Sequence, residues 1–176
     1  MQKAYFRFAL LFGLVAAFMY LGYGILHKLS TKKAIAERVA QLPAFQFVDL
    51  AGRAFTQQDL ANKPTWLLYF DSTCEFCRME ISDLERHQDK LREMQLVLIS
   101  AESKEVLEKF SHKYSFTQHP NVKVVQDTSY QCQKRLGLLS TPSSLVYDAS
   151  GHLIKKVNGV MKTEKIIELI QPSVTP

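Results

Sequence analysis

TWLLYFDSTCEFCRMEISDL, residues 65–84, is the stretch that decides the fold. Its first six residues form a continuous apolar run, the length of a strand buried on both faces. The pair Cys74 and Cys77 follows at once. Residues 78–94 then read as a helix, with Ile81, Leu84 and Leu91 near one face and Glu85, Lys90 and Arg92 elsewhere. Two residues between the cysteines let both sulfurs sit in the first turn of a helix, close enough to bond. The free N–H groups and partial positive charge of a helix N-terminus favour the thiolate of the first cysteine. That thiolate is the nucleophile in disulfide exchange, and the second cysteine resolves the mixed disulfide it forms.

A Cys-x-x-Cys pair is also half of a structural zinc site, which needs two further ligands at similar local spacing. The candidates are Cys132 and five isolated histidines, His27, His87, His112, His119 and His152, none forming a second ligand pair. Redox chemistry is therefore the reading, with no metal and no cofactor expected. Three cysteines are too few and too unevenly placed for a disulfide scaffold. Cys132 reads as a small buried hydrophobe. The sharper alternative is a third redox thiol, which needs exposure and a lowered pKa.

Outward from the motif, further elements alternate. Residues 44–50 form a strand followed by a turn at Ala51-Gly52-Arg53, and residues 95–100, QLVLIS, form another buried strand. Ser103 caps a helix whose stripe is Val106, Leu107 and Phe110, and residues 121–126 are again strand. Residues 128–136 read as a short helix closed by Gly137. Residues 143–147 and 152–157 form a hairpin around Asp148-Ala149-Ser150-Gly151, and Thr163 caps a last helix over 164–170. This order predicts an α/β fold with a central mixed sheet flanked by helices.

At the N-terminus, residues 8–26 carry no charge, and as a helix they span about 28 Å against a hydrocarbon core of about 30 Å. The run ends in His27-Lys28-Leu29-Ser30, without the small residues of a signal cleavage site. Residues 1–29 are therefore expected to be a membrane anchor contacting lipid, residues 30–42 a tether or short helix, and residues 43–176 the folded domain. The net charge of +5 resides in the first 38 residues, where Lys3, Arg7, Lys28, Lys32, Lys33 and Arg38 face Glu37 alone. The neutral remainder offers no footprint for a phosphate backbone, which disfavours nucleic acid. The flanking charges barely distinguish the two orientations. A short tail inside and a dithiol placed where proteins carry disulfides favour an outward-facing domain.

From Pro43 onward the chain resembles the thioredoxin superfamily, in its redoxin branch of membrane-tethered TlpA/ResA-like thiol–disulfide oxidoreductases. The resemblance rests on FDSTCEFCRMEISDL after an apolar strand, on Thr141-Pro142 before a strand, and on Gly159-Val160 after the hairpin. It implies a thioredoxin-like fold, with Cys74 the exposed nucleophile and Cys77 the resolving thiol of a redox-active disulfide. It also implies that Pro142 is a cis-proline facing the pair, that Thr141 offers backbone to substrate, and that Glu80 tunes the thiols. Partners are then a disulfide-containing protein and an upstream thiol reductant, at the outer face of a plasma membrane. Thr73 replaces a frequent Trp, Ser82 a usual Pro, and Glu75-Phe76 the Gly-Pro of thioredoxin.

Two other functions remain in view. A peroxiredoxin-like peroxidase normally sets its cysteine in Pro-x-x-x-Thr/Ser-x-x-Cys, which Asp71-Ser72-Thr73 does not reproduce. A tethered copper-binding assembly factor uses a similar pair, typically with one more intervening residue and a distal His. On charge grounds, Glu75 and Glu80 are both expected to place negative charge near Cys74. That would leave its pKa near the free-thiol value of about 8.5 and make the dithiol a reductant.

Overall fold

The computed structural model describes residues 2–60 and 62–170, with residues 2–12, 14–17 and 93 described through their backbone. Two compact units divide the chain, Met1–Glu37 and Arg38–Pro176. Helix α1 (Gln2–Val39) continues without a break into residues 30–39 of the segment read as a tether or short helix. Among the described residues no helix is long and apolar enough to cross a membrane. The side chains of residues 8–12 and 14–17, the first half of the apolar run, lie outside the described residues.

The second unit is built on seven strands: β1 (Gln46–Asp49), β2 (Ala54–Thr56), β3 (Thr65–Tyr69), β4 (Gln95–Ser100), β5 (Val122–Gln126), β6 (Ser143–Tyr147) and β7 (Leu153–Asn158). Their order across the sheet is β2-β1-β5-β4-β3-β6-β7. The three central strands are parallel, because helical crossovers join them: α2 (Glu75–Arg86) from β3 to β4 and α3 (Lys104–Lys113) from β4 to β5. The hairpins β1–β2 and β6–β7 close the two edges antiparallel. Together with α4 (Gln131–Lys134) and α5 (Thr163–Ile170), this is the expected mixed sheet flanked by helices.

Every residue of β3, β4 and β6 is buried, the polar Thr65, Gln95, Ser100, Ser143 and Ser144 along with the apolar residues between them. On one face Trp66, Leu68, Leu96 and Leu98 pack with Cys77, Ile81 and Leu84 of α2, Leu107 and Phe110 of α3 and Ile166 of α5. Each such aliphatic or aromatic side chain contributes about 1.5–3 kcal/mol of burial. On the opposite face the Tyr69 hydroxyl of β3 has Gln133 and Cys132 of α4 among its neighbours. The segment following α1 joins the far edge: Leu42 N–H donates to the Gly151 carbonyl and Leu153 N–H to that of Ala40.

Three boundaries differ from the sequence reading. Helix α2 starts at Glu75, and a 3-10 segment (Gln88–Glu93) replaces its expected second half after a break at His87. Helix α4 is a single turn, because Tyr130 before it adopts a left-handed conformation (φ 57°). The expected turn after β1 opens into the short strand β2.

Candidate active site

Cys74 is the N-cap of α2, in extended backbone geometry, and is half-buried; Cys77, one turn deeper, is buried. Both are free thiols. Backbone N–H groups of Cys77 and Phe76 point at the Cys74 sulfur. With the Cys77 thiol and a contact from Thr141, they outweigh burial and hold the Cys74 thiol below its ordinary pKa. Cys77 behaves oppositely. Burial, and then the neighbouring Cys74, push it up to about 12, against a lowering contact from the Asp71 N–H, which lies 3.5 Å from its sulfur. The geometry therefore separates an accessible, acidified thiol from a buried, protonated one.

The Thr141–Pro142 peptide bond is cis. The Thr141 carbonyl oxygen lies 3.8 Å from Cys74 Sγ, so the expected proline loop does face the pair. Gly159 N–H donates to the Pro142 carbonyl at 2.9 Å, and a φ of +107° there suits only glycine. On the opposite side, Asp71 shapes the approach to the helix. Its Oδ1 accepts from Thr73 N at 2.8 Å and from Thr73 Oγ1 at 2.6 Å, and its carbonyl accepts from Cys74 N at 3.2 Å.

Glu80 requires a correction. Expected as a negative charge near Cys74, it has no exposed surface and belongs to the buried stripe Cys77, Glu80, Ile81 and Leu84 of α2. Burial, with a smaller push from Asp83, raises its pKa to about 8 against a lowering bond from Met161 N–H at 3.4 Å. Near neutrality Glu80 is thus largely protonated, so it does not add the expected negative charge near Cys74. The i, i+3, i+4, i+7 spacing of residues 77, 80, 81 and 84 was a legible signal for that burial.

Cys132 lies under the other face of the sheet with no exposed surface, its N–H donating to Asp127 Oδ2 at 2.8 Å. Burial, then the Asp127 charge, raise its pKa strongly, so it is an unreactive thiol where it stands. Among the described residues no group of three or more His, Cys, Asp or Glu is arranged to hold a metal ion. A cleft of about 650 Å³ lined by Asp89, Arg92, Met94, Glu164 and Ile167 contains none of the residues singled out by sequence.

Residues 39–156 match the model of the AhpC/TSA family. Among curated proteins, the thiol-disulfide oxidoreductase ResA of Bacillus subtilis (strain 168) is 25% identical over 181 residues, covering 99% of this chain and 97% of its own. Among solved structures, StoA from Bacillus subtilis superposes with a TM-score of 0.58 at 20% identity, covering 74% of this chain and 98% of its own. A thiol:disulfide interchange protein of the thioredoxin family from Chlorobium tepidum TLS gives 0.64 at 22% identity, covering 76% and 95%. These likenesses identify the fold as thioredoxin-like.

Proposed function

This chain belongs to the AhpC/TSA family, and from that premise we propose that it is a thiol–disulfide oxidoreductase working through Cys74 and Cys77. The observation that carries the reading is the division of labour between the two sulfurs. The activity for which its ResA relatives are named supports it. The Cys74 thiolate attacks one sulfur of a substrate disulfide, forming a mixed disulfide and releasing the other substrate sulfur as a thiolate. Attack consumes the negative charge on Cys74, and with it one of the influences that keep Cys77 protonated. Cys77 then gives up its proton and attacks Cys74, which frees the second substrate sulfur and leaves a Cys74–Cys77 disulfide. Two electrons have passed to the substrate. Glu80, one turn along the same buried stripe and titrating at about 8, is suited to exchange the Cys77 proton near neutral pH.

The working direction is reduction of protein disulfides, with an upstream thiol reductant restoring the dithiol. No cationic side chain is among the leading influences on Cys74, which leaves the helix N–H groups to acidify it and favours a milder thiolate stabilisation than that of strong oxidants. Thr141 supplies a carbonyl beside Cys74 for an extended substrate chain. The charge-free run at residues 8–26 anchors the domain at a plasma membrane, with the catalytic unit outside, where disulfide-bearing proteins are found. The test is reduction of insulin disulfides by the dithiol. Wild type turns over, and Cys74→Ser reduces activity to the uncatalysed rate. Full activity in Cys74→Ser would refute the assignment.

A further inference from the structure

Ser72, the residue between the Asp71 turn and the cysteines, is gripped from a distant part of the chain. Its N–H donates to Glu102 Oε2 at 2.8 Å and its hydroxyl to Glu102 Oε1 at 2.6 Å, so both carboxylate oxygens are engaged by one residue. Glu102 is itself fixed to the ends of two central strands. Ser100 Oγ donates to Glu102 Oε2 at 3.1 Å and accepts from Glu102 N at 3.2 Å, while Gln126 Nε2 donates to the Glu102 carbonyl at 2.9 Å. Ser100 closes β4 and Gln126 closes β5. Loop 71–74 therefore hangs on a bracket anchored at the carboxyl edge of the parallel sheet.

We propose that Glu102 is a positioning residue for disulfide exchange, clamping Ser72 so that the Cys74 sulfur is held on the N-terminus of α2. The proposal rests on the exchange reading above and adds a residue to it. The neighbours of Ser72 show what the clamp secures. Asp71 N–H addresses Cys77 Sγ, and the Asp71 carbonyl accepts from Cys74 N. With Ser72 fixed between them, both sulfurs keep their register against the helix N–H groups. Charge-assisted and two-pronged bonds are the strong kind, and geometric slack of about 1 Å at a reacting atom costs ~100-fold in rate. Glu102 touches neither sulfur, so it acts through Ser72.

Positioning and simple charge make opposite predictions. As a mere negative charge near the site, Glu102 would raise the Cys74 pKa, and its removal would lower it. As a clamp it holds Cys74 on the helix N-terminus, and its removal raises that pKa. The experiment measures the pH dependence of Cys74 alkylation by iodoacetamide, and insulin reduction, in the reduced full-length protein. Wild type is compared with Glu102→Gln, Ser72→Ala and Ser72→Thr, with thermal unfolding run in parallel. Glu102→Gln and Ser72→Ala are expected to move the alkylation midpoint upward and slow exchange ~10-fold, while Ser72→Thr, which keeps the hydroxyl, retains the wild-type profile. A downward midpoint in Glu102→Gln, or an unchanged midpoint in both Glu102→Gln and Ser72→Ala, overturns the clamp. Because alkylation needs no substrate protein, it decides the clamp even if insulin proves not to be reduced, a result that would count against the exchange reading instead.

Discussion

Glu80 concentrates the residue-scale chemistry, because its carboxyl is buried where a charge is costly to place. Its folded pKa of about 8 compares with about 4.3 in an unfolded chain. Between those values the folded protein holds a proton that the unfolded chain has released, so stability falls as pH rises through the window. The slope is at most about 1.4 kcal/mol per pH unit and vanishes above the folded value. Glu80→Gln lacks this proton. Its stability relative to wild type should therefore climb between pH 5 and pH 8 and level off beyond, as read from urea midpoints; a difference flat across that range would contradict the burial account. At this scale the sequence reading was uneven for a physical reason. Cys74, Cys77 and Pro142 are marked by local spacing and by resemblance. Glu102 engages Ser72 from 30 positions away, a pairing that only the folded sheet creates. Glu80 stands out by its place after Cys77, but its charge state is set by burial along the stripe of α2.

Among the elements, α2 and α5 are coupled through the Asp83 side chain. Asp83 on α2 accepts from Thr163 N at 2.8 Å, filling at the start of α5 the capping role expected of Thr163 itself. Burial pushes the Asp83 pKa up, but the Thr163 bonds and the nearby His87 and Arg86 outweigh it and hold the group ionised. Asp83→Ala should cost about 1 kcal/mol, the usual value of a lost cap, measured by denaturant unfolding at pH 7. Since Met161, which addresses Glu80, lies two residues before Thr163, the same variant should also disturb the titration of Glu80. No change in either quantity would show that α5 is held by its apolar face alone. Strands β3 and β4 are legible as largely apolar runs, and β6 as the arm of a hairpin around the turn at 148–151. The length of α4 was not, because the left-handed Tyr130 reflects backbone geometry rather than composition. Helix α2 starts at Glu75 rather than at residue 78, because Cys74 caps it through backbone geometry, without a side-chain cap bond.

For the whole molecule, alternation of buried strands and amphipathic helices was enough to predict the α/β class. The edge order β2-β1-β5 on one side and β6-β7 on the other emerged only from the strand pairing. The proposed anchor makes a prediction at this scale: the full-length chain should remain with membranes after alkaline carbonate washing, with residues beyond about 30 open to external protease. Release of the chain by carbonate would argue against it. The central claim, that a half-buried, acidified Cys74 attacks and a buried, protonated Cys77 resolves, is tested most directly by arresting the reaction between its two steps. Cys77→Ser, mixed with a disulfide-bonded protein and mapped by peptide mass spectrometry, should accumulate a mixed disulfide at Cys74. If Cys77→Ser instead sustains wild-type multiple turnover, or if the trapped partner is joined through Cys132, the account is contradicted.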